Sequence, residues 1–189
     1  MRAVINFLYF FTRVSNFFKI LKAFKFYFYN NILTYIPLHF LRKLYLKNIL
    51  KVKIAENVFI HLGCRFEGNI SIGKNSVIGR KVVFIGNIFI GENVSITAES
   101  YLFSMSHHVD DVNFGTFDKP VVINDYCWIG VRSIVMPGVI MGIGSVLGAN
   151  SVATKNVQDY SVYLGIPAKF YKKRNTLLNY QLDYSPFFQ

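Results

Sequence analysis

A branched aliphatic residue or phenylalanine occupies almost every sixth position from Ile54 onward, and this period dominates the chain. The first run extends to Leu102, and after a break the same rhythm continues from Ile123 to Ala153. Helices and ordinary strands give side-chain periods of 3.6 and 2, so neither produces a period of six. The pattern predicts short strands joined by tight corners, with three strands to a coil.

Glycine often follows the leading aliphatic residue, as at Gly73, Gly91 and Gly130. We expect this glycine, or an asparagine, to adopt the backbone conformation that a tight corner requires. The sequence thus predicts a mainly β fold, a parallel β-helix of hexapeptide repeats. Its roughly five coils would stack at ~4.8 Å per rung, or ~24 Å in all.

The repeat is interrupted between Leu102 and Ile123, a gap of 21 residues rather than the 18 of one full coil. An insertion of about three residues in a regular stack must bulge outward, so we expect a protruding loop at 103–122. The loop contains His107, His108 and Asp111. Titratable side chains on an irregular loop held by a rigid scaffold indicate a functional site.

The N-terminal segment, residues 1–50, differs from the repeat body in charge and composition. Residues 1–53 hold ten Lys and Arg and no Asp or Glu, which accounts for nearly all of the net charge of +11. Its pattern predicts helices at 3–29 and 34–50, separated near Asn30 and restarted by Pro37. Charged residues interrupt each apolar run well short of the ~20 residues of a spanning helix. The segment also lacks the cleavage site of a signal peptide.

Two roles for this segment remain open on the sequence. Lysines beside bulky aromatic residues suit a helix lying peripherally in an anionic membrane interface. The same aromatic residues would equally well cap the open first coil. We do not expect nucleic-acid binding, because no known motif is present. Cys64 and Cys127 fall on the small inward position of the repeat, so we expect buried thiols and a cytoplasmic protein.

An ordered set of motifs places the chain beside a known family. The set comprises Ser106-His107 with Asp111 and Phe114 following, Lys119-Pro120-Val121-Val122-Ile123, Trp128-Ile129-Gly130, Met136-Pro137-Gly138-Val139, Gly148-Ala149-Asn150-Ser151-Val152, Thr154-Lys155 and Gly165-Ile166-Pro167-Ala168-Lys169. Over about residues 37–174 the chain resembles the hexapeptide-repeat acyltransferases, whose fold is a left-handed parallel β-helix. Within that superfamily it is most similar to the O-acetyltransferases of surface polysaccharide synthesis, the colanic-acid type.

The resemblance implies acetyl-CoA as co-substrate and a histidine as general base, a role that an imidazole fills well near neutral pH. His107 matches the family histidine, and its neighbour His108 is the alternative base. Asp110 or Asp111 would hold the other ring nitrogen, although a backbone carbonyl would serve equally well. Direct transfer without an acyl-enzyme is expected.

The resemblance also implies a cofactor site. Trp128 would line the cleft for the pantetheine arm, unless it packs between subunits, and the basic residues would contact the phosphates. The implied cofactor-binding residues are Trp128, Gly130, Ser133, Gly148, Ala149, Thr154, Lys155, Pro167, Ala168, Lys169 and Lys172. No metal is expected, because His107 and His108 point apart on an extended chain and His61 and His39 lie far from them in sequence.

Together these features divide the chain into a helical segment at 1–50, a β-helix domain at 51–174 and a C-terminal tail at 175–189. We expect the tail, which lacks the repeat, to be loosely held. The family forms homotrimers with the active site between neighbours, which agrees with the symmetry of most homo-oligomers. The predicted function is acetylation of a hydroxyl on a sugar or lipid-linked saccharide. The alternatives are a small-acceptor (antibiotic or free-sugar) acetyltransferase and a non-catalytic scaffold.

Overall fold

The computed structural model describes the backbone of residues 2–184 and the side chains of residues 17–184. Its body is a parallel β-solenoid of triangular section, which confirms the predicted fold class. The helices are α1 (Arg2–Asn31), a 3-10 turn (Leu33–Tyr35) and α2 (His39–Asn48). The strands are β1 (Lys53–Ile54), β2 (Phe59–Ile60), β3 (Arg65–Ile72), β4 (Val77–Ile78), β5 (Val83–Ile90), β6 (Ser95–Ile96), β7 (Tyr101–Phe103), β8 (Met105–His107), β9 (Thr116–Asp118), β10 (Val121–Ile123), β11 (Trp128–Ile129), β12 (Ile134–Val135), β13 (Ile140–Met141), β14 (Val146–Leu147), β15 (Val152–Ala153), β16 (Ser161–Leu164) and β17 (Lys169–Lys173).

Each coil contributes one short strand to each of three faces. The first face begins at β1, the second at β2 and the third at the start of β3, and successive rungs pair in parallel register. The leading aliphatic residues point inward and fill the interior, as Ile78, Phe84 and Leu102 do. The solenoid is one partial coil longer than predicted, because Val157 bridges Met141 and β16 pairs with β14 beyond the fifth coil.

The second small position of the repeat forms a ladder of side-chain hydrogen bonds inside the corners. The thiol of Cys127 donates to the carbonyl of Gly142 at 3.0 Å, and the hydroxyl of Ser76 donates to the carbonyl of Gly91 at 2.9 Å. Cys64 makes the same bond to Gly79 at 3.0 Å. Both thiols are fully buried, as predicted, and burial raises the pKa of Cys64 to about 12 and that of Cys127 to about 11.

The role predicted for the glycine after each leading aliphatic residue is wrong. The left-handed residue of the corner comes two positions later and is often Asn, as at Asn75 with φ of 55°. The glycine is needed for close approach of the next coil instead. A Cβ on Gly73 would lie 2.4 Å from the carbonyl oxygen of Gly91, and a Cβ on Gly130 would lie 2.5 Å from the amide nitrogen of Ala149.

The insertion is also longer than predicted. Val122 pairs with Phe89, 33 residues earlier, whereas Phe59 pairs with Val77 after 18, so the chain inserts 15 residues here. Leu102 and Ile123 lie on adjacent faces rather than one coil apart on the same face, which is why their spacing misled the estimate of length. The inserted residues leave the corner between the third and first faces as an antiparallel hairpin of β8 and β9, here called the arm.

The helices close the first coil. Asn30 at the end of α1 accepts from the amide of Phe66 at 2.9 Å and donates to its carbonyl at 3.2 Å. Arg42 in α2 is buried and donates to the carbonyls of Ile36 and Ile60. Tyr29 and Leu46 are fully buried in the same core cluster as the first coils. Helix α2 begins at His39, five residues later than predicted.

The described part of the C-terminal tail, residues 175–184, is bound along the solenoid rather than loosely held. Arg174, which precedes it, donates to the carbonyls of Tyr126 at 2.9 Å and Gly144 at 3.0 Å. The Tyr180 hydroxyl donates to the same Tyr126 carbonyl, and the amide of Leu182 donates to Asn93 at 3.3 Å. The tail therefore follows the corner between the first and second faces toward the first coil.

Candidate active site

The arm is fixed to the solenoid at its base by a small polar cluster. The Ser104 hydroxyl accepts from the amide of Asn87 at 2.7 Å and donates to the carboxylate of Asp118. Asp118 also accepts from the side-chain amide of Asn87 at 2.6 Å. Gly86 makes room for this cluster, since a Cβ there would lie 1.9 Å from the Ser104 hydroxyl. The rigid corner thus sets the direction of the hairpin that carries the two histidines.

His107 lies exposed at the end of β8 and is held by one neighbouring residue. Its Nδ1 is 2.9 Å from the carbonyl oxygen of Phe114, and the two rings stack with centroids 3.9 Å apart and planes at 15°. A carbonyl oxygen only accepts hydrogen bonds, so Nδ1 carries the proton in this contact. The lone pair of Nε2 is then available to accept a proton from a bound molecule.

Asp111 binds the backbone of the turn next to His107 rather than the imidazole itself. Its carboxylate accepts from the amides of Asn113 at 2.8 Å and Gly115 at 3.1 Å. These bonds shape the turn in which Phe114 adopts a left-handed conformation with φ of 51°. The partner of the His107 Nδ1 is thus the backbone carbonyl, the alternative that the sequence left open, and Asp111 organises the turn that presents it.

His108 is exposed beside His107 and faces a different neighbour. Its ring lies 4.9 Å from that of Phe117 with the planes tilted by 49°. Its amide donates to the carbonyl of Gly115 at 2.8 Å, which continues the pairing of the hairpin. Of the two histidines, His107 is therefore the one whose tautomer is fixed by a hydrogen bond to a carbonyl.

Trp128 lies on the second face, in a shallow groove of about 310 Å³. Its side chain is 49% exposed, and its indole nitrogen donates to the Thr97 hydroxyl at 3.1 Å. Gly130, Gly148 and Ala149, all predicted to bind cofactor, line the same groove. The groove is mainly apolar and extends along the solenoid from Thr97 to Leu164, a shape that suits an extended chain.

Ser133, which was predicted to bind cofactor, lies inside the solenoid and does not line the groove. It is fully buried, and its hydroxyl donates to the carbonyl of Gly148 at 2.6 Å as part of the corner ladder. The repeat position explains this, because the second small position faces inward in every coil.

The remaining predicted cofactor residues lie at the far end of the solenoid. Thr154 and Lys155 are exposed just after β15, at the same corner as the arm. Lys169 pairs with Leu164, which lines the Trp128 groove, and Lys172 is exposed on the same strand. Pro167 is exposed and Ala168 partly buried between these two positions.

The candidate residues therefore lie on opposite sides of the prism. His107 projects from the corner between the third and first faces, whereas Trp128 lies on the second face. In a triangular section that corner is opposite the second face. One chain alone does not bring the imidazole and the groove together.

Sequence reasoning missed three contributors to the site. Phe114 was noted for its spacing only, yet it supplies both the carbonyl and the ring that hold His107. Thr97 orients Trp128, and Asp118 anchors the arm. The position of Asp118 directly before Lys119-Pro120, where the arm rejoins the coil, was the available signal. No three His, Cys, Asp or Glu side chains in the described part of the chain gather as a metal-ligand set.

The profile of the family described as "Hexapeptide repeat of succinyl-transferase" matches residues 69–104 and 120–155. These two stretches flank the arm and cover the coils on either side of it. Over these two stretches, which make up less than half of its length, the chain resembles the hexapeptide repeats of this family. The residues that match the family profile are thus the ones that form the solenoid coils on either side of the arm.

Among its relatives, the putative colanic acid biosynthesis acetyltransferase WcaF of Escherichia coli is 33% identical over 107 residues, which is 57% of this chain and 49% of WcaF. A probable macrolide acetyltransferase of Lysinibacillus sphaericus is 50% identical over 58 residues, 31% of this chain and 32% of that protein. The structure of galactoside acetyltransferase in complex with coenzyme A has a TM-score of 0.65 at 24% identity and covers 82% of this chain and 80% of that one. The hexapeptide-repeat chain spans about a third to a half of the length of the curated relatives it matches.

Proposed function

We propose that the protein is an acetyl-CoA-dependent O-acetyltransferase that modifies a sugar hydroxyl in the assembly of a bacterial surface polysaccharide. The observation that carries the proposal is the bond from the His107 Nδ1 to the Phe114 carbonyl, which leaves Nε2 free to act as a base. The similarity to WcaF supports a polysaccharide acceptor. Coenzyme A bound to the same fold in galactoside acetyltransferase supports the donor.

In the proposed reaction Nε2 of His107 takes the proton of the acceptor hydroxyl as its oxygen attacks the thioester carbonyl carbon. The carbon–sulfur bond then breaks, the proton passes to the leaving sulfur, and the products are the acetyl ester and free coenzyme A. General-base catalysis of this kind typically contributes 10²–10⁴-fold. The buried cysteines, whose pKa values burial raises, are poor candidates for an acyl-enzyme, which supports direct transfer.

We propose further that the active site is shared between copies in a homotrimer. The arm of one copy would bring His107 to the Trp128 groove of its neighbour, since these features lie on opposite sides of one prism. Thr154 and Lys155 lie at the same corner as the arm, so they would meet the neighbour's groove together with it. In a closed ring of three copies, every copy makes the same two contacts, one through its arm and one through its groove.

Thiol release from acetyl-CoA tests the proposed activity. Sugar nucleotides and lipid-linked sugars would be screened as acceptors with wild type, His107→Ala and His108→Ala. We expect release with at least one acceptor, a loss of at least ~10²-fold in His107→Ala and nearly full activity in His108→Ala. Absence of release with every acceptor, together with absence of coenzyme A binding, would favour a non-catalytic scaffold.

An antibiotic acceptor is the second candidate, favoured by the match to the macrolide acetyltransferase. That match covers 58 residues, and the WcaF match covers 107. Including a macrolide and chloramphenicol in the same screen separates the two candidates. Faster thiol release with either drug than with any sugar would replace the polysaccharide proposal.

We propose that the helical segment holds the enzyme at an anionic membrane surface. Between residues 17 and 24 every side chain of α1 is exposed, including Phe17, Phe18 and Phe24. On α2 the side chains of Phe40 and Leu44 are also exposed, near lysines and without an acidic residue anywhere in 1–53. Within the described residues no helix is long and apolar enough to cross a bilayer. The combination supports a peripheral position, with each Lys worth about 1 kcal/mol near anionic lipid.

Sedimentation with vesicles tests this placement without reference to catalysis. We expect the wild type to sediment with phosphatidylglycerol vesicles and much less with phosphatidylcholine vesicles. Phe18→Ser with Phe24→Ser should reduce sedimentation, because both rings are exposed and would be available to enter the lipid interface. Equal sedimentation of the double variant would leave capping of the first coil as the segment's role.

A further inference from the structure

A cavity of about 400 Å³ lies between the second face and the C-terminal tail. Its floor is formed by residues of the first three coils, among them His61, Arg80 and Ala98. Leu182 and Tyr184 of the tail form its outer wall. Without the tail this part of the face would be an open surface.

The cavity continues the groove of the candidate active site. Thr97 lines both spaces, and its hydroxyl accepts the indole N–H of Trp128. The two spaces follow one another along the solenoid axis, the cavity at coils one to three and the groove at coils three to six. The Trp128–Thr97 pair therefore lies at the junction between them.

The order of features along the axis assigns a role to each space. The basic side chains of Lys169 and Lys172 lie at the last coil, beside the far end of the groove. A donor with its phosphates at that end would extend its pantetheine arm along the groove and place its thioester near Trp128. The space beyond the thioester is the cavity, where the attacking hydroxyl has to come from.

The tail wall is built into the structure. Tyr184 stacks on His61 with ring centroids 5.4 Å apart and meets Phe59 edge-on at 6.0 Å. Gln181 donates to the side chain of Asn75 at 3.1 Å, one coil from the Asn93 contact of Leu182. Corner asparagines thus hold the tail at two successive coils.

We propose that Leu182 and Tyr184 form the outer wall of the acceptor site and determine which acceptor binds. The proposal rests on the proposed function. The cavity has the size of a small-molecule site and combines apolar walls with a few polar groups. One sugar ring fits this chemistry, with its apolar face on the Tyr184 ring and its hydroxyls toward the Arg80 guanidinium and the Thr97 hydroxyl.

Steady-state kinetics with the best acceptor from the thiol-release screen tests the proposal. Tyr184→Ala removes the stacking ring and should raise the KM for the acceptor about tenfold, the scale of one aromatic contact. We expect kcat to change less than about twofold and the coenzyme A dissociation constant to stay the same, because neither the His107 arm nor the groove changes. Tyr184→Phe keeps the ring and should restore the wild-type KM.

Leu177→Ala is the matched control, since Leu177 belongs to the same tail and its side chain is 84% exposed. It should leave the acceptor KM unchanged. An unchanged acceptor KM in Tyr184→Ala would overturn the proposal while leaving the proposed function intact. A shift in preference toward longer acyl-CoA donors instead would assign the cavity to the acyl group and also overturn it. If the wild type released no thiol with any acceptor, the proposed function itself would be refuted.

Discussion

The carbonyl and the ring of Phe114 both restrain His107, one at 2.9 Å from Nδ1 and the other stacked at 3.9 Å between centroids. The first contact fixes the tautomer, and the second fixes the plane of the imidazole. Both come from a residue whose left-handed backbone is set by the turn around Asp111. The imidazole on this exposed arm is therefore oriented before any ligand binds.

Asp111→Asn tests whether the turn positions His107. The amide retains only one of the two carboxylate acceptors, so the amides of Asn113 and Gly115 are no longer both satisfied. We expect kcat to fall about tenfold, less than the ~10²-fold cost of a fully misplaced group. The KM for acetyl-CoA should stay the same. Asp110→Asn changes the neighbouring exposed carboxylate and serves as the control. Equal effects of the two variants would contradict a specific role for Asp111.

Gly86→Ala tests the attachment of the arm. The added Cβ would meet the Ser104 hydroxyl at 1.9 Å, and the residue has φ of 92°. The cluster that joins Ser104 to Asp118 has to open, so we expect loss of most activity and a lower Tm. Gly63→Ala separates the two causes, because Gly63 also has a positive φ of 78° but its closest new contact is the flexible side chain of Lys81. That control should lower Tm and keep activity. Full activity in Gly86→Ala would show that the position of the arm does not depend on the cluster that joins Ser104 to Asp118.

His39 in α2, one of the helices that close the first coil, should make the stability of the protein depend on pH. His39 accepts from the amide of Ile60 at 3.2 Å, and burial followed by repulsion from Arg42, Lys43 and His61 lowers its pKa to about 4. The unfolded chain therefore binds a proton between about pH 6.5 and pH 4 that the folded chain does not. Stability is highest above pH 6.5 and falls as the pH drops toward 4.

Thermal unfolding of wild type and His39→Gln checks this dependence. Because His39 is only partly buried, the effect is on the order of 1 kcal/mol, or about 2–4 °C for a chain of this length. The variant should be less stable at pH 7, since it loses the stacking on Phe59, but should lose less Tm between pH 7 and pH 4. Parallel Tm profiles of the two proteins would contradict the assignment.

Much of the fold followed from the sequence because each coil repeats the same physical constraint. An inward aliphatic residue such as Ile78 has to recur every six positions if the interior is to stay filled. The reason for the glycines was missed, since Gly73 is required by the backbone of the next coil and a sequence does not display that contact. The insertion length was missed because the break moves the chain from the third face to the first.

The motifs singled out side chains for the candidate site but gave no sign of its backbone contacts. His107 and Trp128 were recognisable from the motifs, but the carbonyl of Phe114 is a main-chain group that every residue carries. The tail carries no repeat, and its anchor joins Arg174 to the carbonyl of Tyr126, 48 residues earlier. Contacts of side chains with distant main-chain atoms leave no pattern in the order of residues.

Complementation between two inactive variants tests the shared site most directly. His107→Ala and Trp128→Ala, carrying different tags, would be co-expressed, and the mixed oligomers isolated through both tags would be assayed by thiol release. If His107 of one copy serves the groove of the next, each mixed trimer contains one intact site out of three, so it should recover up to about a third of the wild-type activity, whereas each variant alone should retain little. Mixed oligomers as inactive as the single variants would contradict a site built from His107 and Trp128 of neighbouring copies.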